Sequence, residues 1–379
     1  MGGNYFLLDK FRDASLGKKL IQKIIPLALA TREKLGRRPA LMEVCGTHTM
    51  AIARCGIKNL LAEYLELRSG PGCPVCVTDQ QDIDYMINLA RLPGTVMATF
   101  GDMLRVPGSD SSLEREKARK ANIIIFYSPA EAVIYASSHP GQEVIFLGVG
   151  FETTAPSVAL SIATAKELGL KNYSVFSAHK LVPPVMRALL DDCDLHIDGF
   201  ILPGHVSTVI GQKAFDFIAL EYRIPTVIAG FEPVDILGAI YRLLKQLSQN
   251  EVKAENGYGR LVHLEGNIKA QKLLAAYFTP TAALWRGFGT VPASGLDIKD
   301  EYAFYDAKNK FALEVPVGQT PKGCNCGEVL KGKINPADCL LFARTCTPMQ
   351  PVGPCMVSSE GACAAFYQYE FNEFNEFKG

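Results

Sequence analysis

Six of the eleven cysteines in this chain lie within its last sixty residues. They fall in the segment 323–363, and they are Cys324, Cys326, Cys339, Cys346, Cys355 and Cys363. Thiols at this density are typical of iron–sulfur proteins, because a [4Fe-4S] cluster takes four cysteine ligands. The segment therefore predicts an iron–sulfur site, with two further cysteines that are free to form a redox-active pair.

A second group of cysteines lies near the N-terminus. The motif GPGCPVC (70–76) places Cys73 and Cys76 at a predicted strand-to-helix turn, with Pro74 suited to the first helical position. The N–H groups at a helix N-terminus favour a thiolate. Such a Cys-x-x-Cys pair can close a disulfide, bind a metal or exchange thiols. The alternative is two cysteines buried in a turn without chemistry.

The motif CGTHT (45–49) brings Cys45 and His48 within one helical turn of each other. Thiolate and imidazole are both ligands for transition metals. His48 can instead act as the proton acceptor that activates Cys45. A histidine that only packs in the core is an equally good interpretation of this motif taken alone.

Acidic and basic side chains follow other predicted strands. Glu152 in GFETT and Glu232 in GFEP both lie on turns entered through glycine, and His179 and His205 follow strands in the same way. We expect Glu152, Glu232 and His205 to line a functional cleft. In the alternative interpretation, these turns only cap the helices that follow them.

A repeated pattern of short apolar runs and helical segments must position these residues. The runs are 40–44, 64–69, 95–100, 122–127, 143–149, 173–178, 198–203 and 225–230. Continuous apolar strands that alternate with helices predict an α/β fold with parallel sheets. Two of the predicted strands run into a Gly-Phe-Glu turn, and this similarity favours two sheets facing a cleft. We predict an α/β domain at 1–140, a second at 141–245, and a small cysteine-rich iron–sulfur domain at 246–379.

Composition narrows the class of protein further. The 39 basic and 39 acidic residues give a net charge of zero, which argues against a nucleic-acid partner. We find no apolar run long enough for a bilayer and no signal peptide, and therefore expect no membrane association and a cytoplasmic protein. In that compartment, clustered cysteines indicate metal binding or catalysis rather than structural disulfides.

The motifs CGTHT, GPGCPVC, FGDMLRVPG, GFETTAP, PGHVSTVIG and AGFEP, followed by the cysteine-rich tail, resemble the HypD family of hydrogenase maturation factors. The resemblance runs from about residue 42 to residue 369. It implies a redox-active scaffold, rather than a conventional turnover enzyme, on which the Fe(CN)2CO group of [NiFe] hydrogenases is assembled. It also implies a HypC-like small chaperone and a HypE-like cyanide donor as partners, and the hydrogenase large subunit as an indirect one.

The same resemblance implies roles for individual cysteines. The essential cleft cysteines of the family match Cys45, Cys73 and Cys76, with Cys45 as ligand of the assembling iron. The tail resembles ferredoxin:thioredoxin reductase, which implies a [4Fe-4S] cluster on Cys339, Cys346 and Cys363 with either Cys324 or Cys326. By that analogy we assign Cys324 as the fourth ligand and a redox disulfide to Cys326 and Cys355.

Three further classes of protein would use some of the same residues. A freestanding thiol oxidoreductase would pass cluster electrons to a protein disulfide through Cys73 and Cys76, but it makes no use of CGTHT. A radical enzyme that uses S-adenosylmethionine would need C-x-x-x-C-x-x-C, and this spacing does not occur in the sequence. A purely structural cluster would leave the cleft cysteines unexplained.

Overall fold

Parallel β-strands alternate with helices in most of the chain before the tail. The computed structural model describes residues 10–316, 318 and 320–371. The strands are β1 (Ala40–Glu43), β2 (Glu66–Ser69), β3 (Thr95–Thr99), β4 (Asn122–Ile125), β5 (Glu143–Gly148), β6 (Tyr173–Ser177), β7 (Gly199–Pro203), β8 (Thr226–Ala229), β9 (Ala254–Asn256), β10 (Phe278–Trp285) and β11 (Gly289–Ile298). The predicted α/β class is therefore confirmed.

Helices connect nearly all of these strands. They are α1 (Ala14–Leu35), α2 (Gly46–Arg54), α3 (Ile57–Leu61), α4 (Pro74–Val77), α5 (Gln80–Ala90), α6 (Leu113–Ala118), α7 (Pro129–Ser138), α8 (Ala155–Glu167), α9 (Val182–Leu190), α10 (Gly204–Ile210), α11 (Asp216–Leu220), α12 (Pro233–Gln249), α13 (Ile268–Tyr277), α14 (Ala307–Phe311), α15 (Cys326–Leu330) and α16 (Ala362–Tyr369). Helix α1 runs through Pro26 without a break, between an Asp13 N-cap and Gly36 in the left-handed conformation. Within the described residues, no helix has both the length and the apolar character of a membrane span.

The strands form two parallel sheets and one antiparallel hairpin. The first sheet has the order β2-β1-β7-β8-β9, and the second has the order β4-β3-β5-β6. Strands β10 and β11 form the hairpin. The prediction of two smaller sheets rather than one large sheet is confirmed.

The strands do not follow the contiguous division predicted at residues 140 and 245. The chain leaves the first sheet after β2, builds the whole second sheet from β3 to β6, and then returns through β7. Strand β9 also joins the first sheet, although it lies after residue 245. Each βα unit has the same local pattern whichever sheet it joins, so the sequence pattern does not reveal the partners of a strand.

The first sheet buries a different core on each face. Leu41, Ile201 and Val227 point to one face, where Ile24 of α1 and Ile240 of α12 cover them. On the opposite face, a second core contains Met42, Phe200 and Ile228 together with the buried cysteines Cys73, Cys76, Cys326, Cys346, Cys355 and Cys363. The tail therefore packs on the same side of this sheet as the Cys-x-x-Cys motif.

Little regular secondary structure is found in the cysteine-rich tail. It contains the short helices α15 and α16 and two 3-10 turns, at Pro336–Asp338 and Pro354–Met356. An ion pair of 3.1 Å between Lys58 and Glu370 links it to the first sheet's layer. Arg68 of β2 also donates to the Gly332 carbonyl across 3.2 Å.

Candidate functional site

The carboxyl ends of the two sheets meet at one cleft, where α/β proteins commonly bind ligands. Its volume is about 1490 Å³, which includes the solvent-filled space at its open side. The first sheet contributes Cys45, Thr47 and His205, and the second contributes the segments 100–103, 125–127 and 149–154 apart from Glu152. Of the predicted site residues, Cys45 and His205 thus reach the cleft wall directly.

Cys45 lies at the junction between β1 and α2, where it is the N-cap residue of the helix. The next residue, Gly46, donates its N–H to the Gly72 carbonyl at 2.8 Å, which joins the CGTHT turn to the GPGCPVC turn. A Cβ atom on Gly72 would lie 2.2 Å from the Cys45 nitrogen. Glycine is therefore required at position 72 for the two cysteine turns to touch.

The environment of Cys45 keeps its thiol protonated in the absence of a metal. Burial, and then the charge of Glu360, raise the pKa of Cys45 to about 12. Its N–H donates to Oε2 of the buried Glu43 at 3.0 Å, and Thr49 donates to the other carboxylate oxygen. Burial raises the pKa of Glu43 to about 8. A cation bound at Cys45 would reverse this preference and release the proton.

His48 lies in the first turn of α2, as predicted, but it hydrogen-bonds to the first sheet rather than to the Cys45 thiol. Its Nε2 lies 2.8 Å from the Gly230 carbonyl oxygen, which can only accept, so Nε2 carries the proton. The other nitrogen, Nδ1, is buried and has no hydrogen-bond partner among the described residues. Burial lowers the pKa of His48 to about 4, so its ring is neutral at pH 7.

Phe231 connects His48 to the cleft. Its ring stacks on His48 with centroids 4.7 Å apart and on His205 with centroids 3.9 Å apart. His205 is the second residue of α10 and lines the cleft, and burial lowers its pKa. The two histidines therefore lie on a single aromatic stack that leads from the interior to the cleft.

The Cys-x-x-Cys motif forms the predicted strand-to-helix turn. Cys73 is the N-cap of α4, Pro74 occupies the start of the helix, and the Cys76 N–H donates to Cys73 Sγ at 3.3 Å. Cys73 is 3% exposed and Cys76 is 0% exposed. Neither cysteine lies on the cleft wall, although Pro74 and Val75 between them do. The pair is thus buried between the cleft and the tail.

Five tail cysteines line one apolar cavity. They are Cys324, Cys326, Cys339, Cys346 and Cys363, and the remaining walls are Asn325, Val329, Leu341, Phe342 and Met356. Cys324 Sγ lies 3.2 Å from Cys326 Sγ. Two thiols in contact cannot both bind separate irons of one cluster without moving apart. This donor set suits a [4Fe-4S] cluster held by Cys339, Cys346, Cys363 and one of the other two.

Cys355 lies outside that cavity and beside the Cys-x-x-Cys motif. The thiols of Cys326, Cys363 and Cys76 are its neighbours, and they lower its pKa well below the ordinary value. Burial raises the pKa of Cys76, and the adjacent Cys355 raises it further. A continuous row of thiols therefore runs from Cys73 through Cys76 and Cys355 to the tail cavity.

The two glutamates of the Gly-Phe-Glu turns have opposite environments. Glu152 is buried, accepts the Val182 N–H at 2.9 Å, and leaves Oε2 without a hydrogen-bond partner in the described part of the chain. Burial raises its pKa to about 7. Glu232 is the N-cap of α12 and forms two hydrogen bonds with Arg12, which lower its pKa. The geometry of Glu232 supports helix capping rather than chemistry.

A strap from the tail crosses the cleft, and the sequence patterns did not predict it. Ser358 donates to Asp102 Oδ2 of the second sheet's loop at 3.0 Å, and Glu360 accepts the Thr47 hydroxyl at 2.6 Å. Asp102 and Glu360 both line the cleft near Cys45. Asp102 belongs to FGDMLRVPG and Glu360 to the cysteine-rich tail. A carboxylate in each of these motifs is the sequence signal that could have indicated the strap.

Comparison with known proteins places these residues in a family. The HypD family model, described as the hydrogenase formation hypA family, matches residues 17–370. The chain is 46% identical over 369 residues to the hydrogenase expression/formation protein HupD of Azotobacter chroococcum mcd 1, covering 96% of each chain. It is 44% identical to the hydrogenase maturation factor HypD of Rhodobacter capsulatus, covering 95% of this chain and 97% of the relative.

A more distant relative agrees with this assignment. The chain is 41% identical over 368 residues to the hydrogenase maturation factor HypD of Escherichia coli K12, covering 97% of this chain and 98% of the relative. The matches include the cleft motifs and the cysteine-rich tail, because they extend over nearly the whole sequence. The chain therefore belongs to the HypD family of hydrogenase formation proteins.

Proposed function

We propose that this protein is a redox-active scaffold on which the Fe(CN)2CO group of a [NiFe] hydrogenase is assembled. The observation that carries the proposal is the position of Cys45. It reaches the cleft between the two sheets, and its turn touches the turn that starts a row of thiols leading to a five-cysteine cavity. The iron is the substrate, and Cys45 is its protein ligand.

Cys45 supplies a soft thiolate, which suits low-spin ferrous iron that carries cyanide. Its pKa is raised by burial, so iron binding must displace a proton. His48 Nδ1 is the unused neutral base on the same helical turn, and Glu360 is a carboxylate on the cleft wall that contacts this turn. These groups are the candidates to receive that proton.

The Cys-x-x-Cys motif and Cys355 supply thiol redox chemistry beside this site. Thiol exchange with a disulfide between Cys326 and Cys355 would oxidise Cys73 and Cys76 to a disulfide and reduce Cys326 and Cys355 to thiols, so that two electrons and two protons pass from the first pair to the second. A [4Fe-4S] cluster, when bound, supplies one-electron transfer. We assign Cys324, Cys339, Cys346 and Cys363 as its ligands and Cys326 with Cys355 as a redox disulfide. Complete loss of the cluster in a Cys326→Ser protein would overturn this choice between Cys324 and Cys326.

Three partners follow from this role. A HypC-like small chaperone would share the iron at the cleft, a HypE-like protein would deliver cyanide there, and the hydrogenase large subunit would receive the product indirectly. The cleft supports this proposal because it is open and has an apolar wall that includes Phe126, Tyr127 and Phe151. Tyr127 is 89% exposed, which leaves a large aromatic surface for a protein partner.

Infrared spectroscopy on anaerobically purified protein, co-expressed with the small partner, tests this function. Metal-bound cyanide and carbon monoxide absorb where proteins do not, and we expect such bands in the wild type. A Cys45→Ala substitution should abolish them, whereas Cys193→Ala, which removes an exposed cysteine outside the cleft wall, should leave them unchanged. Bands of full intensity in the Cys45→Ala protein would refute the proposal.

A freestanding thiol oxidoreductase is the second candidate, and the row of thiols from Cys76 to the tail cavity favours it. Burial of the pair counts against it, because a protein disulfide cannot reach cysteines that are 3% and 0% exposed. An assay with a generic disulfide protein separates the two functions. Rapid reduction of that substrate, without infrared bands, would favour the oxidoreductase.

A further inference from the structure

A second pocket lies between the carboxyl end of β6, the edge strand of the second sheet, and the β10–β11 hairpin. Its volume is about 540 Å³, which includes the solvent-filled space at its open side. Leu181, which follows β6, donates its N–H to the Ser294 carbonyl at 2.8 Å and so fixes the hairpin in place. Among the described residues, none lines both this hairpin pocket and the cleft, so the hairpin pocket is a separate site.

His179 contributes a fixed hydrogen-bond acceptor to the hairpin pocket. Ser177 Oγ donates its single proton to the Leu296 carbonyl at 2.5 Å, so it can only accept from His179 Nδ1, which lies 3.1 Å away. Nδ1 therefore carries the ring proton, and Nε2 has a lone pair. Within the described part of the chain, the buried Nε2 has no hydrogen-bond partner. Burial lowers the pKa of His179 to about 3, so the ring is neutral at pH 7.

The contacts of the His179 ring turn Nε2 toward the hairpin pocket. The Nδ1 side faces Ser177, and a Cβ atom on Gly148 would lie 2.6 Å from Cε1. Phe278 packs edge-to-face against the ring, with centroids 5.7 Å apart. His179 lines the pocket, and the edge that carries Nε2 is the part of the ring that these neighbours do not occupy.

Charged side chains of both signs complete the wall. The Lys180 side chain is 4% exposed, and its Nζ donates to Asp82 Oδ2 at 3.0 Å. An ammonium group has three N–H donors, and the described residues accept only this one. Lys308 donates to Asp297 at 3.1 Å, and this pair is 36% and 48% exposed, so it can move to admit a ligand. The two lysines and two aspartates give the wall a net charge of zero.

We propose that the hairpin pocket binds a free α-amino acid with a small aliphatic side chain. The ligand must carry a donor for His179 Nε2 and an acceptor for the spare donors of Lys180, because buried polar groups without partners are unfavourable. A ligand without net charge keeps the balance of the wall. A zwitterion meets these requirements, and the apolar wall formed by Ala283, Leu284 and Leu296 suits an aliphatic side chain. This inference does not rest on the proposed function.

Isothermal titration calorimetry of the purified full-length protein tests the inference, with L-valine as the probe. Isovalerate is L-valine without its amino group, and isobutylamine is L-valine without its carboxylate. We expect saturable binding of L-valine. Either analogue should bind about tenfold more weakly, because it leaves one of the two polar groups of the pocket unsatisfied.

Three variants locate the binding. His179→Asn keeps an N–H donor for Ser177 Oγ but removes Nε2, and Lys180→Met removes all three ammonium donors. Each should weaken L-valine binding about tenfold. His139→Asn is the matched control, because His139 Nδ1 bonds to the Tyr135 carbonyl and lies outside the hairpin pocket. It should leave the binding unchanged.

A fourth variant keeps the test decisive if the buried substitutions prevent folding. The Asp297 side chain is 48% exposed, so Asp297→Asn should retain the fold. Loss of one negative charge leaves the wall with a net positive charge. L-valine should then bind up to about fivefold more weakly, and its preference over isovalerate should decrease.

The results either support or overturn the inference. Saturable binding of L-valine that is weakened in His179→Asn and Lys180→Met, but not in His139→Asn, supports it. No saturable binding of L-valine or L-alanine would overturn it, and so would equal affinities for L-valine and isovalerate. Unchanged affinity in a folded His179→Asn protein would overturn it as well. Iron and the proposed cluster take no part in this experiment, so its failure would leave the scaffold function standing.

Discussion

The cleft and the tail hold their cysteines in different ways. Cys45 and Cys73 each cap a helix, and a backbone hydrogen bond between their turns fixes their relative position. Cys339 lies in a bend and Cys346 in an isolated β-bridge with Phe342, both outside helices and regular strands. The polypeptide itself builds the cleft, whereas in the proposed function the geometry of the tail depends on the cluster that its thiols bind. A site that receives and releases iron needs the first arrangement, and a resident cluster permits the second.

Removal of the proposed tail cluster should give the largest difference between the two regions. We expect backbone amides in residues 324–363 to exchange roughly a hundredfold faster in the cluster-free protein, or about 2.7 kcal/mol of lost local stability. Amides of β1 and β5 should keep their protection. Hydrogen exchange with mass spectrometry, on matched cluster-loaded and cluster-free samples, measures both. Equal protection of the tail amides in the two samples would mean that the geometry of the tail does not depend on a bound cluster.

A methyl group at Gly72 should break the preformed cleft. In Gly72→Ala the new Cβ would lie 2.2 Å from the Cys45 nitrogen, so the two cysteine turns must separate. We expect loss of the cleft-bound iron and its infrared bands, with the free energy of unfolding reduced by roughly 1–3 kcal/mol.

Gly101→Ala is the matched control. Gly101 also lines the cleft, but among the described residues no atom beyond its chain neighbours and its own short helix lies within 4 Å of the position that its new methyl group would take. This variant should keep both iron and stability. If Gly72→Ala behaves like Gly101→Ala, the contact between the two turns does not hold Cys45 in place.

Buried acidic groups test the rigidity of the cleft region, because only a rigid scaffold keeps them desolvated. Burial raises the pKa of Glu152 from 4.5 to about 7, so the folded protein retains a proton that the unfolded chain releases above pH 4.5. The stability contributed by this group is complete below pH 4.5 and is lost as the pH rises to about 7. Glu152→Gln should thus raise the free energy of unfolding by roughly 2–3 kcal/mol at about pH 8 and have little effect at about pH 4.5.

Glu232→Gln should change the free energy of unfolding in the opposite direction to Glu152→Gln. Its pKa is lowered by Arg12, so its contribution is present at neutral pH and is lost as the pH falls. Because Arg12 is largely exposed, we expect a loss of at most about 1 kcal/mol at about pH 8. Urea denaturation at the two pH values checks both substitutions. If both changed the free energy of unfolding in the same direction, the environments of the two glutamates would not differ as described.

These glutamates also show what the sequence can predict. Both Gly-Phe-Glu turns were identified at the ends of strands, and both strands and the following helices are found there. The tripeptide is the same, so its local pattern predicts the turn in each case. The chemistry of each carboxylate depends on distant residues, Val182 for Glu152 and Arg12 for Glu232, and no local pattern contains them.

Long-range pairing explains the other differences between prediction and structure. The strand types and the α/β class follow from local apolar runs, whereas the return of β7 to pair with β1 depends on contacts between strands that are far apart in the chain. Spacing likewise groups the tail cysteines but does not show that Cys355 lies beside Cys76, 279 residues earlier in the chain. The strap residues Ser358 and Glu360 were missed for the same reason.

The strap joins the tail to the cleft. Weakening it should have a smaller effect on the protein than the changes described above. Ser358→Ala removes the hydrogen bond to Asp102, which is worth about 1 kcal/mol. Because the strap covers the turn that carries Cys45, we expect the thiol of Cys45 to be alkylated about fivefold faster at about pH 8, with global stability nearly unchanged. Ser248→Ala, whose hydroxyl donates to the Lys245 carbonyl at the exposed end of α12, should not change that rate. An unchanged alkylation rate in Ser358→Ala would mean that the preformed sheets alone control access to Cys45, and that the tail communicates with the cleft through the row of thiols.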